Sequence, residues 1–176
     1  LETGRYRECI DVTEQWSKDG IWPEGPPWYP NSITVLRAHA YRRLGEIAEA
    51  EKLYRQANAS LDIAVAKNKN DGQSVIWRVE GRSGLACALY LRGRYQESLL
   101  TCNGSVNHAQ RAGDLSKAVC VRMIRAACMT KLNHPEDAAA LQEVVKTNLL
   151  WVKPNVTRKM WFIFGDVITL PALPTK

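Results

Sequence analysis

Apolar residues recur along most of the chain at intervals of three and four, the spacing that gives a helix one buried face. Clusters of turn-forming residues, such as the one at 68–72, divide this pattern into segments. The pattern predicts helices at roughly residues 5–18, 32–44, 46–67, 74–92, 94–112, 115–132, 135–150 and 155–168. Asn31 or Ser32 is expected to cap the second helix. The predicted fold class is therefore all-α.

A set of residues with fixed spacing recurs along this helical pattern. After Gly45 come an apolar residue two positions later, Glu-Ala at 49–50, the aromatic Tyr54 and the small residue Ala57. The same order begins at Gly93 and at Gly4, and Asn133 begins a weaker copy. The starting positions 4, 45, 93 and 133 are 41, 48 and 40 residues apart. Self-similarity at such a period indicates a repeat architecture.

Each copy predicts a corner between two helices. The glycine, or Asn133, is expected to end one helix in the left-handed backbone conformation, and the apolar residue after it packs on the start of the next. At a further corner, Gly113-Asp114, the aspartate is expected to cap the following helix. One helix pair leaves an apolar face uncovered, so several pairs should stack. Small residues are expected where paired helices cross: Ala50, Ala57, Ser98 and Ala138.

The residues from Gly45 to Ala57 resemble the second-half signature of the tetratricopeptide repeat family, and the resemblance extends over most of residues 1–150. The common repeat has about 34 residues. The longer steps here and the Gly113-Asp114 corner are similar to the longer-repeat branch, which includes kinesin light chains, polarity adaptors with Leu-Gly-Asn repeats and bacterial peptide-sensing regulators. The resemblance implies a single domain over residues 1–176, a right-handed α-solenoid of antiparallel helix pairs with about 3.5 repeats. Residues 5–18 would be the second helix of an incomplete repeat, so we expect a fragment of a longer protein.

The resemblance also implies a concave groove, lined by the first helix of each pair, in which a partner docks. Arg42 and Arg43 in this groove can donate charge-assisted hydrogen bonds to an acidic peptide or a terminal carboxylate. Alternatively, both arginines are solvated or pair with Glu46 and Glu49. The exposed groove positions carried over from the family are Ser32, Val35, His39, Arg42 and Arg43, then Glu80, Ser83, Cys87 and Tyr90, then Met123 and Ala127.

One branch of the family binds chaperone C-termini and grips their carboxylates with a lysine and two asparagines. Val35 and His39 stand where the lysine and the first asparagine are expected, and Gly84 stands where the second would be. Because these residues depart from the pattern, chaperone C-termini are not predicted as partners.

Two segments depart from the repeat. Residues 19–30 contain four prolines, which remove amides and fix the backbone, so this segment is predicted to be an inserted loop. Its aromatic rings are expected to plug the groove or the helix ends, or else to form an exposed partner-binding patch or a tethered internal ligand. These rings belong to Trp22, Trp28 and Tyr29. The tail is expected to cap the last pair with a helix within 155–170, using Trp151, Trp161, Phe162 and Phe164.

Composition and charge narrow the class of protein. Of 176 residues, 45% are apolar and 24% are charged, which suits one domain with a core and not a disordered segment. The apolar stretch at 160–164 is far shorter than the ~20 residues of a membrane span, so none is predicted. The formal charge of +6 divides into −3 over residues 1–30 and +9 after them, which favours acidic partners. The alternative is that the basic residues are merely solvated helix faces.

The cysteines, histidines and short motifs of the sequence do not indicate a catalytic or metal site. Five cysteines without a Cys-x-x-Cys pair predict neither a disulfide framework nor a zinc site, and a reducing compartment, cytoplasm or nucleus, is expected. His39, His108 and His134 are isolated along the sequence, and no nucleophile with a base, phosphate loop or dinucleotide fingerprint can be assembled. We therefore predict no enzyme activity, no metal and no cofactor.

The predicted function is that of a protein-interaction scaffold or adaptor subunit, which binds another protein or a peptide, of acidic character, in its groove. An alternative from another class is binding of RNA or another single-stranded nucleic acid, because basic helical repeats with aromatic residues can follow a strand. No base-reading pair of residues recurs at the repeat period, so the protein partner is preferred.

Overall fold

A computed structural model describes residues 4–19, 26, 28–68, 70–111, 113–152 and 163–167, and these ranges are all-α, as predicted. Within them no strand occurs, and no helix is long and apolar enough to cross a membrane. The described residues form eight helices: α1 Tyr6–Asp19, α2 Tyr29–Arg43, α3 Ile47–Lys67, α4 Gly72–Leu91, α5 Tyr95–Thr101, α6 Ser105–Arg111, α7 Leu115–Lys131 and α8 Pro135–Leu149.

Helix bounds differ from the prediction in three places. α2 begins at Tyr29 and not at residue 32, with Trp28 at the N-cap position, so neither Asn31 nor Ser32 caps it. Pro30 is tolerated because the first turn of a helix needs no internal bond from its amide. Asp19 also belongs to α1, so the predicted loop at 19–30 is wrong at both ends. The predicted helix at 94–112 is divided into α5 and α6 by a turn at 102–104 that contains Gly104.

The predicted corners are present. Gly45, Gly93 and Asn133 have φ angles of 82°, 74° and 64°, in the left-handed region. In each case the next residue's amide reaches back five residues, to the carbonyls of Tyr41, Leu89 and Met129 at 3.0, 2.9 and 2.9 Å. These bonds satisfy carbonyls that the end of a helix leaves free. The three corners therefore share one backbone geometry, and Gly113, with φ of 71°, ends α6 in the same way.

Helices adjacent in the chain pack together, most extensively in the pairs α2 with α3, α3 with α4 and α7 with α8. α4 also contacts both α2 and α7, so it lies between them. One core cluster joins α2, α3 and α4 around Val35, Tyr54 and Leu89. A second joins α4, α6, α7 and α8, and includes Phe164.

The small residues predicted at the helix crossings, Ala50, Ala57, Ser98 and Ala138, are all buried. At Gly84 the ring of Tyr54 packs directly on the backbone of α4: a Cβ atom there would lie 2.3 Å from Cε1 of Tyr54, so this position has no room for a larger residue while the ring stays in place. The Asp114 side chain accepts a hydrogen bond from the Lys117 amide at 3.0 Å and caps α7, which confirms that prediction.

A buried carboxylate ties α3 to the corner between α4 and α5. Glu51 accepts hydrogen bonds from Arg55 at 2.8 Å, Arg92 at 2.6 Å and Arg94 at 2.9 Å. Burial alone would raise the pKa of Glu51, but these three guanidinium groups lower it. The ion pairs therefore fix the corner at Gly93 against the neighbouring helix pair.

Candidate binding groove

The residues predicted to line the groove lie on α2, α4 and α7, the three helices in contact through α4. Arg43, Tyr90 and Ala127 are partly exposed. The expectation of exposure is wrong for the others, which are buried: Ser32, Val35, His39, Arg42, Glu80, Ser83, Cys87 and Met123.

Local contacts explain part of this burial. The hydroxyls of Ser32 and Ser83 bond to carbonyls of their own helices, at Tyr29 and Val79. Val35 packs into the core shared with α3, and Cys87 and Met123 pack into the second core cluster. These five side chains are therefore committed to the interior.

The polar residues are buried because they bond to one another across helices. The Tyr54 hydroxyl lies 2.6 Å from Nδ1 of His39 and accepts a bond from Nε of Arg42 at 3.3 Å. Nε2 of His39 lies 3.1 Å from Oε1 of Glu80. The ammonium of Lys117 bonds to the other oxygen of Glu80. One chain of hydrogen bonds thus links α2, α3, α4 and α7.

This chain of bonds defines the protonation of its members. Glu80 is an acceptor for Lys117, so Nε2 of His39 carries the proton and Nδ1 accepts from Tyr54. Burial is the main cause that lowers the pKa of His39, and the charges of Arg42 and Lys117 add to it. Burial would raise the pKa of Glu80, but Lys117 and the bond from His39 lower it. A neutral histidine and an ionised carboxylate satisfy every bond in the chain.

The face of α2 that carries His39 and Arg42 is covered by residues 163–167. Phe164 meets the ring of His39 edge to face, with centroids 5.7 Å apart, and the Arg42 guanidinium lies 5.9 Å from the centre of the Phe164 ring. Arg42 also donates to the carbonyl of Ile163 and to the carboxylate of Asp166. Its side chain is fully buried. Residues 163–167 therefore cover the part of the predicted groove that His39 and Arg42 were expected to line.

The alternative pairing of the arginines with Glu46 and Glu49 is wrong for the described residues. Glu46 pairs with Arg7 at 2.6 Å, and Glu49 pairs with Lys52 at 3.1 Å. Arg43 lies over the ring of Tyr6, 5.7 Å from its centre, and reaches within 3.9 Å of Asp166.

The sequence analysis missed four residues of this site. Tyr54 was recognised only as a repeat marker, and Lys117 was given no role. Phe164 was assigned to a terminal cap, and Asp166 was not assigned. Charge is the signal that could have found two of them: a buried Arg42 and a buried Glu80 each require an opposite charge nearby, which Asp166 and Lys117 supply.

The predicted aromatic patch is only partly within the described residues, because Trp22 lies outside them. Trp28 is partly buried and packs against the core of α2, α3 and α4. Its ring meets that of Tyr29 edge to face at 5.8 Å. Trp161 and Phe162 also lie outside the described residues, and Trp151 is exposed.

Away from the predicted groove, a concavity of about 540 Å³ lies between the end of α3, the start of α4 and α6. It is basic: Arg78, His108 and Arg111 line it with a single acid, Asp62. Asp62 is paired with Arg82 at 2.9 Å and lies 3.5 Å from Arg78. Burial and the neighbouring arginines lower the pKa of His108.

The thiols show no sign of activation. All five cysteines are free, and burial raises the pKa of each, in the case of Cys87 to about 12. A protonated thiol is a poor nucleophile and a poor metal ligand. Across the described ranges, no group of three His, Cys, Asp or Glu side chains is arranged to hold a metal ion.

Comparison with known proteins does not assign this chain to a family. No protein-family model, no curated protein and no solved structure matches it. Its function must therefore be argued from the groove residues themselves.

Proposed function

We propose that this chain is a non-catalytic scaffold for protein interactions, a subunit or adaptor that binds a peptide or partner segment in the groove of α2, α4 and α7. One observation carries the proposal. Residues 163–167 contact His39 and Arg42 of α2 through an aromatic ring, a main-chain carbonyl and a carboxylate, groups that a peptide with an aromatic and an acidic residue can offer.

The architecture we propose is the right-handed tetratricopeptide-type solenoid. Three corners with equal backbone geometry, at Gly45, Gly93 and Asn133, support it, as does the position of α4 between α2 and α7. The helix pairs would be α2 with α3, α4 with α5 and α6, and α7 with α8, preceded by the single helix α1. In this arrangement the first helices of the pairs form one continuous concave face.

The charges of the groove favour an acidic partner. Arg42 and Arg43 stand at the end of α2, and Arg43 is partly exposed. Guanidinium groups bind carboxylates through charge-assisted hydrogen bonds, which give both affinity and orientation. The five free cysteines also fit a protein of the cytoplasm or nucleus, where thiols stay reduced.

The test is a pair of charge reversals. A partner is first isolated on the wild-type chain and identified, and its affinity is then measured with purified components. Arg43→Glu should weaken binding of an acidic partner by at least about tenfold. Lys146→Glu, an equal change on the exposed surface of α8, should leave affinity within about twofold.

Circular dichroism must show equal helix content in both variants, so that binding and not folding is compared. Equal affinities of the two variants for the partner would contradict binding in this groove.

Nucleic-acid binding is a second candidate, and the basic concavity between α3, α4 and α6 is the observation that favours it. Arg78 and Arg111 there would contact phosphates, so affinity for single-stranded RNA should fall steeply as salt is raised. A titration with a single-stranded oligonucleotide at low ionic strength tests this function. No association under that condition would remove it.

A further inference from the structure

Residues 163–167 contact the groove as a bound peptide would. Of these five residues only Phe164 is buried, and the others are partly exposed. The bonds from Arg42 to Ile163 and Asp166 join positions 121 and 124 residues apart. The segment is thus attached through Phe164, which belongs to the second core cluster, through Ile163 and Val167, which pack against that cluster, and through the polar contacts of Arg42.

The contact is imperfect at one atom. Oδ1 of Asp166 is buried without a hydrogen bond, and the Arg43 guanidinium is 3.9 Å away, too far to donate. A buried acceptor without a donor weakens the state that contains it. A carboxylate that bonded to both Arg42 and Arg43 would bind this end of the groove better than Asp166 does.

The groove also restricts what can replace the segment. The Arg42 side chain is fully buried and makes its charged contact with Asp166. Removal of Asp166 would leave the guanidinium without that carboxylate, which is costly in a dry site. A replacement must therefore bring a carboxylate, and an aromatic ring to fill the place of Phe164 between His39 and Arg42.

We infer that residues 163–167 are an internal ligand that holds the groove closed, and that the partner displaces them with a segment carrying an aromatic residue and, two positions later, an acidic residue. This inference rests on the proposed function and names the partner class and the regulation of that same groove. The partner binds only to the fraction of molecules whose segment has left the groove. Its apparent affinity is therefore its intrinsic affinity multiplied by that fraction.

The test uses the full chain and a fluorescent peptide, Ile-Phe-Gly-Asp-Val on a Gly-Ser spacer, which copies residues 163–167. Fluorescence anisotropy gives its affinity for the wild-type chain and for the variant Phe164→Ala with Asp166→Asn. Because the variant releases the internal segment, it should bind the peptide at least about tenfold more tightly than the wild type. A control peptide, Ile-Ala-Gly-Asn-Val, should bind neither chain.

A milder variant, Asp166→Asn alone, guards against misfolding, because it keeps the size of the side chain. It should bind the peptide about threefold or more tightly than the wild type. Equal affinity of the wild type and both variants would overturn the inference, as would tight binding of the control peptide. If the double variant loses its helix content, a gain of affinity in Asp166→Asn still supports the inference, and the absence of that gain overturns it.

Failure of this inference can be told apart from failure of the proposed function. If Arg43→Glu weakens the isolated partner but the peptide does not compete with that partner, the groove remains the binding site and the ligand class is wrong. If the peptide binds as expected but Arg43→Glu does not change the affinity of the partner, residues 163–167 are still an internal ligand. The partner then binds at another surface, and the proposed function is wrong about the site.

Discussion

His39 is the titratable residue at the centre of the hydrogen-bond chain that links α2, α3 and α4. Both of its ring nitrogens are engaged, with Tyr54 and with Glu80, and its ring faces Phe164. Protonation would place a second proton on Nδ1, where the Tyr54 hydroxyl already donates, and would add a cation beside Arg42 and Lys117. The native fold therefore needs this histidine neutral.

This requirement predicts a loss of stability in mild acid. The pKa of His39 is lower in the folded chain than the ordinary value of about 6.5, so the unfolded chain takes up the proton first. Where the unfolded state binds more protons, stability rises with pH. The free energy of unfolding should therefore fall as pH drops below about 6.5, by up to about 1.4 kcal/mol per pH unit from this residue.

Urea unfolding of the wild type and of His39→Gln at several pH values measures this effect. The variant should be less stable at neutral pH and should show a shallower slope between about pH 5 and 6.5. His108 also has a lowered pKa, so His108→Gln is the matched control and isolates the share of the partly exposed histidine. Equal slopes in the wild type and His39→Gln would contradict the prediction.

At the scale of helices, the corners determine where each element ends. A residue with a side chain pays a steric cost in the left-handed region, and Gly45 holds a φ of 82° there. Asn133 occupies the equivalent position with φ of 64°, because asparagine tolerates this conformation better than most residues. The sequence could therefore predict the corners from residue type alone.

Gly45→Ala should lower the free energy of unfolding by about 1 kcal/mol, because no neighbour lies within 4 Å of the new Cβ and the cost is purely conformational. Gly72→Ala is the matched control: its Cβ would also meet nothing within 4 Å, and its φ is not positive. Alanine in the first turn of α4 should be neutral or stabilising by a few tenths of a kcal/mol. Chemical denaturation of both variants compares them. An equal loss in the two would show that the corner is not strained.

The same comparison shows which parts of the elements could be predicted. Helix ends marked by Gly45, Gly93 and Asp114 were correct to within a few residues, because local chemistry determines them. The start of α2 was misplaced since Pro30 forbids a helix interior but is permitted in its first turn. The break between α5 and α6 at Gly104 was missed, because a lone glycine in a helical pattern is often tolerated.

At the scale of the whole molecule, the contact of α2 with residues 163–167 joins distant parts of the chain. No periodicity within one segment can predict such a contact, because it depends on two positions more than 120 residues apart. The sequence could place His39 and Arg42 on one helix face. It could not indicate that this face is covered, which is why His39 and Arg42 were expected to be exposed.

Asp166→Asn should lower the local stability of the last turn of α2, although residue 166 is far from this helix in the sequence. Amides in the last turn of α2, near Arg42, should exchange with solvent faster, by about tenfold, while those in the last two turns of α3 stay unchanged. Hydrogen exchange followed by mass spectrometry compares the variant with the wild type. Faster exchange confined to the neighbourhood of residue 166 would show that the segment and α2 are energetically independent.

The contact at Gly84 limits how this groove can be redesigned. An engineer who wished to install the asparagine of the chaperone clamp would have to introduce a Cβ 2.3 Å from the ring of Tyr54. The helices would have to separate, or Tyr54 would have to be shortened, and shortening it would remove the hydroxyl that connects Arg42 to His39. An asparagine at position 84 therefore requires a second substitution, at Tyr54, and that substitution breaks the chain of hydrogen bonds that links α2, α3 and α4.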